Sequence, residues 1–204
     1  MRFDTEMVRP NIEVVKGDMM SLLDRELSMG LCYHNKRHTI DVYESAKRYA
    51  ELEEIPPSET DCLLAAALFH DAGFTAQYED NESVGAEIAR AMLPKYGYLQ
   101  QNIDIIAGII LSTKMPQNPQ TLLQRVLCDA DLDHLGSDDF LEKGDLLRRE
   151  WEIFLGKKYS DKEWYRFQLR FLEEHKYFTN SARKLRGRGV LNNIRKLKKS
   201  IDAL

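Results

Sequence analysis

Apolar residues recur along the chain at spacings of three and four, the repeat of one helix face, while the strict alternation of a half-buried strand is scarce. The pattern predicts an all-α fold, with helices over residues 11–29, 36–54, 58–72, 82–95, 98–113, 119–134, 137–156, 160–177 and 180–201. Punctuation agrees: Gly30 closes the first stretch, Pro56-Pro57 separates the second from the third, and Pro116 and Pro119 surround a later break. Ser58 and Asp61 have the spacing of a capping box, with aspartate where glutamate is usual. Asn35 reads as an N-cap, which makes His38 the third residue of its helix and leaves His34 just outside it. No repeat, low-complexity tract or long linker interrupts the pattern, so one compact helical domain over residues 1–204 is expected.

Composition changes this picture little. The 204 residues, 43% hydrophobic and 30% charged, suffice for a sizeable core. The apolar runs at residues 63–69 (LLAAALF) and 105–111 (IIAGIIL) are well short of the roughly 20 residues that span a bilayer. The opening MRFDTEMVRP carries charges where a signal peptide needs an apolar segment, so a cytoplasmic location is expected. Cys32, Cys62 and Cys128 are odd in number and far apart, which argues for free thiols in or near the core.

Charge is distributed unevenly. The net charge of −4 combines about +7 over residues 183–204 with about −11 over residues 1–182. A basic end can attract phosphates or nucleic acid; the plainer reading is a solvated helix lying on an acidic body. Arg183 and Lys114 are candidate phosphate contacts, against the same solvated alternative. Trp151, Phe154, Trp164, Tyr165, Phe167, Phe171, Tyr177 and Phe178 recur at helical spacing, a pattern more often of core than of a base-stacking platform.

Three short stretches carry the candidate chemistry. YHNKRHT places His34 and His38 around the capping Asn35. DCLLAAALFHDAG ends an almost wholly apolar helix with His70-Asp71, where a buried aspartate needs a partner or a metal. Neighbours on a regular helix diverge by about 100°, but at a helix end near Gly73 the backbone can turn and let the two converge. CDADLDHLG alternates Asp129, Asp131 and Asp133, of which Asp131, between Ala130 and Leu132, is expected to face inward. Asp129 and Asp133 are read as site-orienting or solvent-exposed, and His134 and His175 as surface or supporting residues.

The ordered set Tyr33-His34-Asn35-x-x-His38-Thr39, His70-Asp71 and Ala130-Asp131-Leu132 resembles the H…HD…D signature of the HD superfamily of metal-dependent phosphohydrolases, over residues 33–136. The resemblance implies an HD-type helical bundle, with residues 137–204 as further helices. It makes His38, His70, Asp71 and Asp131 the metal ligands. Two imidazoles and two carboxylates suit Mn²⁺, Fe²⁺, Co²⁺, Ni²⁺ or Zn²⁺, with Mg²⁺ admissible at a second site held chiefly by Asp71 and water. The fuller string through Asp41-Val42 is similar to the opening motif of cyclic nucleotide phosphodiesterases in that superfamily, where the first histidine protonates the leaving oxygen; His34 takes that role here by resemblance. The second Asp-His pair of those enzymes is replaced by Ala72-Gly73-Phe74, so the shared motif does not specify a cyclic nucleotide. Glu82 lies at a distance after the HD pair where related HD proteins place a glutamate, which makes it by resemblance a catalytic candidate for positioning water or accepting a hydrogen bond from a ligand, and it is equally suited to the first turn of its helix.

The expected function is hydrolysis of a phosphoester or phosphoanhydride, of a nucleotide, by metal-activated water, with a phosphodiesterase preferred over a phosphomonoesterase. The competing expectation is a metal-bound nucleotide sensor without turnover. The expected partner is a small phosphate ester; the pattern calls for neither membrane nor nucleic acid and leaves homo-oligomerisation open.

Overall fold

The structure, a computed structural model, describes residues 10–204; most of the MRFDTEMVRP segment lies outside them. Among the described residues the fold is all-α, with no strand. Nine α-helices follow one another: α1 (Ile12–Glu26), α2 (Lys36–Leu52), α3 (Pro57–Phe69), α4 (Asn81–Met92), α5 (Gln100–Leu111), α6 (Leu122–Asp131), α7 (Phe140–Leu155), α8 (Asp161–Glu174) and α9 (Asn180–Asp202). Short 3₁₀ turns follow α3, α4 and α6, at Ala72–Thr75, Leu93–Tyr96 and Asp133–Gly136. None of the described helices is long and apolar enough to cross a membrane.

Helix α3 is the axis of the core. Its residues from Cys62 to Phe69 are buried on every side, which is why it shows no amphipathic face: α1, α2, α4, α5 and α6 all pack on it. It ends at His70, so the first charged groups after the apolar run emerge at the core's edge. The chain must then double back to start α4. Gly73 permits this, because a side chain there would overlap the Asn81 backbone.

The capping expectations divide. Asn35 does cap α2, its Oδ1 accepting from the Arg37 and His38 N–H groups at 2.9 and 3.3 Å, an interaction worth about 1 kcal/mol. The Ser58/Asp61 box is corrected: α3 is entered through Pro56 and Pro57, and no side chain caps it. Proline supplies a preset φ and lacks the N–H that a cap would satisfy. Capping boxes stand instead at Thr121/Gln124 and Ser160/Glu163.

Exposure of Asp129 and Asp133 is also corrected, since both are buried. Asp129 accepts from the Phe178 N–H, the Thr179 N–H and the Thr179 hydroxyl at 2.6–2.8 Å, fastening the start of α9 to the end of α6. Asp133 accepts from Arg186 and Arg48 and from the Tyr49 hydroxyl. The basic end is thus tied down through Arg186. Arg183 is exposed and donates to the Phe178 carbonyl and Asn180, away from the cleft, and Lys114 pairs with Asp80 on the surface. All three cysteines are free; Cys62 and Cys128 are buried.

Candidate metal centre

Three helix ends bring the sequence-predicted residues to one point: the start of α2 supplies His38, the end of α3 His70 and Asp71, and the end of α6 Asp131. His38 Nε2 lies 3.3 Å from Asp71 Oδ2, 3.1 Å from Asp131 Oδ1 and 3.4 Å from His70 Nε2. His70 Nε2 lies 3.2 Å from Asp71 Oδ2 and 3.6 Å from Asp131 Oδ1. The donor atoms of His38, His70 and Asp71 fall within 4.8 Å of one another.

These atoms fit a divalent metal. Separations of 3.1–3.6 Å are the edges of a coordination shell with bonds of roughly 2.1 Å. The His70 Nδ1–H donates to the Ala67 carbonyl at 2.9 Å, which fixes the tautomer and leaves Nε2 as a lone pair facing the cluster. Asp71 Oδ2 is buried without a hydrogen-bond partner, while Oδ1 is held by the Asn81 amide at 3.3 Å. An orphan carboxylate oxygen beside two ring nitrogens is the arrangement a cation resolves. The electrostatics agree. Burial works against charge on His38 and His70, but the carboxylates of Asp131 and Asp71 outweigh it and raise both rings. Burial also opposes charge on the two aspartates, yet the histidines hold both below the usual carboxylate range.

His34 stands beside this cluster without joining it. Its Nδ1 meets Glu150 Oε1 at 2.5 Å, and its ring stacks on Phe74 with centroids 4.5 Å apart. Glu150 is completely buried and accepts further hydrogen bonds from the Tyr33 and His34 N–H groups at 2.8 and 3.0 Å and from the Tyr78 hydroxyl at 2.9 Å. Burial would raise its carboxyl, but His34 and the two backbone N–H groups bring it below its ordinary value. With Nδ1 so engaged, Nε2 is the ring nitrogen left for a ligand in the cleft.

Sequence reasoning passed over Glu150. Its signal was a carboxylate on the apolar stripe of α7, three residues after Leu147 and four before Phe154. Asn81 and Tyr78 were also missed, because a lone amide and a lone phenol carry no pattern of their own. Glu82 lines the same cleft and burial raises its carboxyl. His134 supports the site through Tyr33, whose hydroxyl lies 3.1 Å from its Nδ1; burial, then the charge of His38, lowers the ring to about 4. His175 lies elsewhere, packed edge-on against Tyr177.

The cluster opens into a cavity of about 390 Å³. Its lining combines the polar His34, Asp71, Glu82 and Asp131 with Phe140, Trp151, Trp164, Phe167, Gln168 and Phe171 from α7 and α8. The aromatic stripe is therefore both core and lining: Trp164 is fully buried, whereas Phe167 is 38% exposed. Lys143, paired with Asp41 and Asp139, is the cation on its wall.

Comparison with known proteins agrees with an all-helical core that gathers a His/Asp cluster at three helix ends. Residues 36–135 match the family model of the HD domain. The match supports the assignment to the HD superfamily that the motifs imply. No curated protein matches it. Among solved structures it is similar to Bacillus subtilis YpgQ in complex with ADP, with 22% identity, 93% of this chain and 94% of that one covered, and a TM-score of 0.65. Another YpgQ structure aligns at 20% identity over 93% and 95% of the two chains, with a TM-score of 0.65. A predicted HD superfamily hydrolase from an uncultured Thermotogales bacterium aligns at 20% identity over 77% and 88%, with a TM-score of 0.54. At these identities the likeness speaks for the fold.

Proposed function

We propose that the protein is a metal-dependent phosphohydrolase that cleaves a phosphoester or phosphoanhydride bond of a nucleotide. The observation that carries this reading is the orphaned Asp71 Oδ2 among His38, His70 and Asp131, with the His34–Glu150 pair on the same cleft. In this reading His38, His70, Asp71 and Asp131 hold the metal. When bound, such an ion supplies water acidified toward hydroxide near neutral pH and offsets charge on the phosphoryl oxygens.

The chain's own side chains do the rest. Glu150 anchors the His34 Nδ1 proton and fixes the ring against Phe74, so that Nε2 delivers a proton to the departing oxygen. Asn81 holds Asp71 by Oδ1 and leaves Oδ2 for the ion. Glu82 orients water at the mouth. An ester that releases an alkoxide gains most from a proton donor, and a nucleotide phosphodiester, the class favoured here, is such a substrate. The YpgQ complex with ADP lends support to a nucleotide as the substrate.

The test is hydrolysis of bis- and mono-p-nitrophenyl phosphate and a nucleotide panel by metal-stripped protein reloaded with Mn²⁺, Mg²⁺, Co²⁺ or Ni²⁺. Activity that requires metal, vanishes in Asp71→Ala and falls in His34→Ala with metal still bound is the expected result. Stoichiometric metal binding without turnover under any loading would overturn it in favour of a nucleotide-sensing module.

A further inference from the structure

Helix α7 turns one face to the cavity: Phe140, Lys143, Gly144, Leu147 and Trp151 recur at spacings of one helix face and all line it. A lysine on an inward, largely apolar stripe is out of place unless its charge is used. Among the described residues that line the cavity, Lys143 is the only lysine or arginine. Its side chain is 22% exposed, and its Nζ lies 3.0 Å from Asp41 Oδ2 and 3.2 Å from Asp139 Oδ2. Burial works against the charge, but the two carboxylates outweigh it and raise the ammonium above its ordinary 10.5.

The cavity calls for a cation beyond the metal. Asp71 and Asp131 together carry two negative charges, which a divalent ion only cancels, so the loaded centre offers a phosphate no excess of positive charge. Lys114 pairs with Asp80 on the surface and Arg183 turns away from the cleft, which leaves Lys143. Its own pairs bring no excess of negative charge, because Asp41 also holds Arg37 at 2.9 Å: Arg37, Asp41, Lys143 and Asp139 form a chain of two cations and two anions. An ammonium has three N–H donors. Asp41 and Asp139 take two, and one is left. Asp41 also follows His38 by three residues on α2 and so stands on the same helix face, one turn on. Lys143 is thereby anchored about one turn from a ligand of the metal centre.

We propose that Lys143 is a substrate-binding residue whose remaining N–H holds a non-bridging phosphoryl oxygen, while Asp41 and Asp139 keep the ammonium in place. The proposal rests on the phosphohydrolase reading for the reaction, but the phosphate contact can be measured without turnover.

Calorimetric titration of the metal-loaded protein with inorganic phosphate and with AMP is compared for wild type, Lys143→Met, Lys143→Arg and Asp139→Asn, with metal content and thermal melting measured on each. Lys143→Met is expected to bind both probes about ten- to hundredfold more weakly, the loss of one charge-assisted hydrogen bond, with metal content intact. Lys143→Arg keeps the charge and retains most of the affinity. Asp139→Asn removes an opposing charge and is expected to bind phosphate more tightly than wild type. Where turnover is present, Lys143→Met raises KM more than it lowers kcat. A lysine that only ties α7 to α2 predicts lower melting temperatures in Lys143→Met and Asp139→Asn with both affinities at the wild-type value. That result, absence of phosphate binding in wild type, or an affinity that falls in Asp139→Asn as it does in Lys143→Met would overturn the proposal. Phosphate binding that depends on Lys143 but brings no turnover under any metal would sink the phosphohydrolase reading alone; turnover with the same KM in wild type and Lys143→Met would sink the lysine assignment alone.

Discussion

Replacing Glu150 with glutamine keeps the size of a buried side chain and removes the charge on which four hydrogen-bond donors converge. The Tyr33 and His34 N–H groups meet Oε2, and His34 Nδ1 and the Tyr78 hydroxyl meet Oε1. A glutamine offers a single carbonyl oxygen for them, and its NH₂ must face the other two. If the carbonyl stays with the backbone pair, the NH₂ donates to His34 Nδ1 and forces the opposite tautomer. If it turns round, two buried backbone N–H groups lose their acceptor. Each charge-assisted hydrogen bond lost costs about 1.5–3 kcal/mol, and partial recovery by the amide leaves a net destabilisation of about 2–3 kcal/mol. The catalytic loss is larger, since a general acid contributes roughly 10²–10⁴-fold, and it depends on the leaving group. Nitrophenolate departs with little help, whereas an alkoxide needs the proton. The assay compares kcat for bis-p-nitrophenyl phosphate with kcat for a nucleotide ester that releases an alkoxide, alongside metal content and thermal melting. The alkoxide substrate is expected to lose about tenfold more than the nitrophenyl ester, with metal content intact. Equal losses on both substrates, or a loss that tracks departing metal, would refute the assignment of His34 and Glu150.

Three further outcomes rest on named contacts. Asn81→Ala frees Asp71 Oδ1 and is expected to weaken metal affinity roughly 10–100-fold, measured by competition with a chelator; unchanged affinity would remove Asn81 from the site. A Cβ at Gly85 would meet the Phe69 and His70 carbonyls at 2.8 and 3.1 Å, so Gly85→Ala is expected to cost about 1–3 kcal/mol by overpacking and to weaken metal binding through His70, whereas a melting temperature equal to wild type would show that α4 shifts freely. Asp133, against the cost of burial, is held below its ordinary 3.8 by Arg186 and Tyr49, and Glu150 likewise lies below 4.5. A carboxyl depressed on folding adds stability that is complete above its ordinary value and is lost as pH falls through the folded one. Stability is therefore expected to drop below about pH 4, and Asp133→Asn, costing about 3 kcal/mol at pH 7, should differ less from wild type there; a difference that is constant from pH 7 to 3 would contradict this.

Much of the fold was legible because helices are written locally. The spacing of apolar residues found nine helices near their observed places, and Asn35 announced the start of α2 because an N-cap involves only neighbours in sequence. The Ser58/Asp61 box failed by the same logic, since Pro56 and Pro57 compete for the helix start and prevail. For Asp129 and Asp133 only the exposed alternative fails, because exposure is not a local property. Their partners, Thr179 at the N-cap of α9 and Arg186 within it, lie some fifty residues away.

The sequence by itself determined that three helix ends carry His38, His70-Asp71 and Asp131, because each sits where an apolar run stops and a polar side chain can emerge at the core's edge. Only the tertiary structure decided that those ends meet within 3.1–3.6 Å, that Glu150 from α7 reaches back to orient His34, and that Gln168 from α8 packs directly on Gly144 of α7. A helix reports its own face through periodicity. Which face it meets is settled by packing of the whole core around α3, and no single stretch of the chain contains that information.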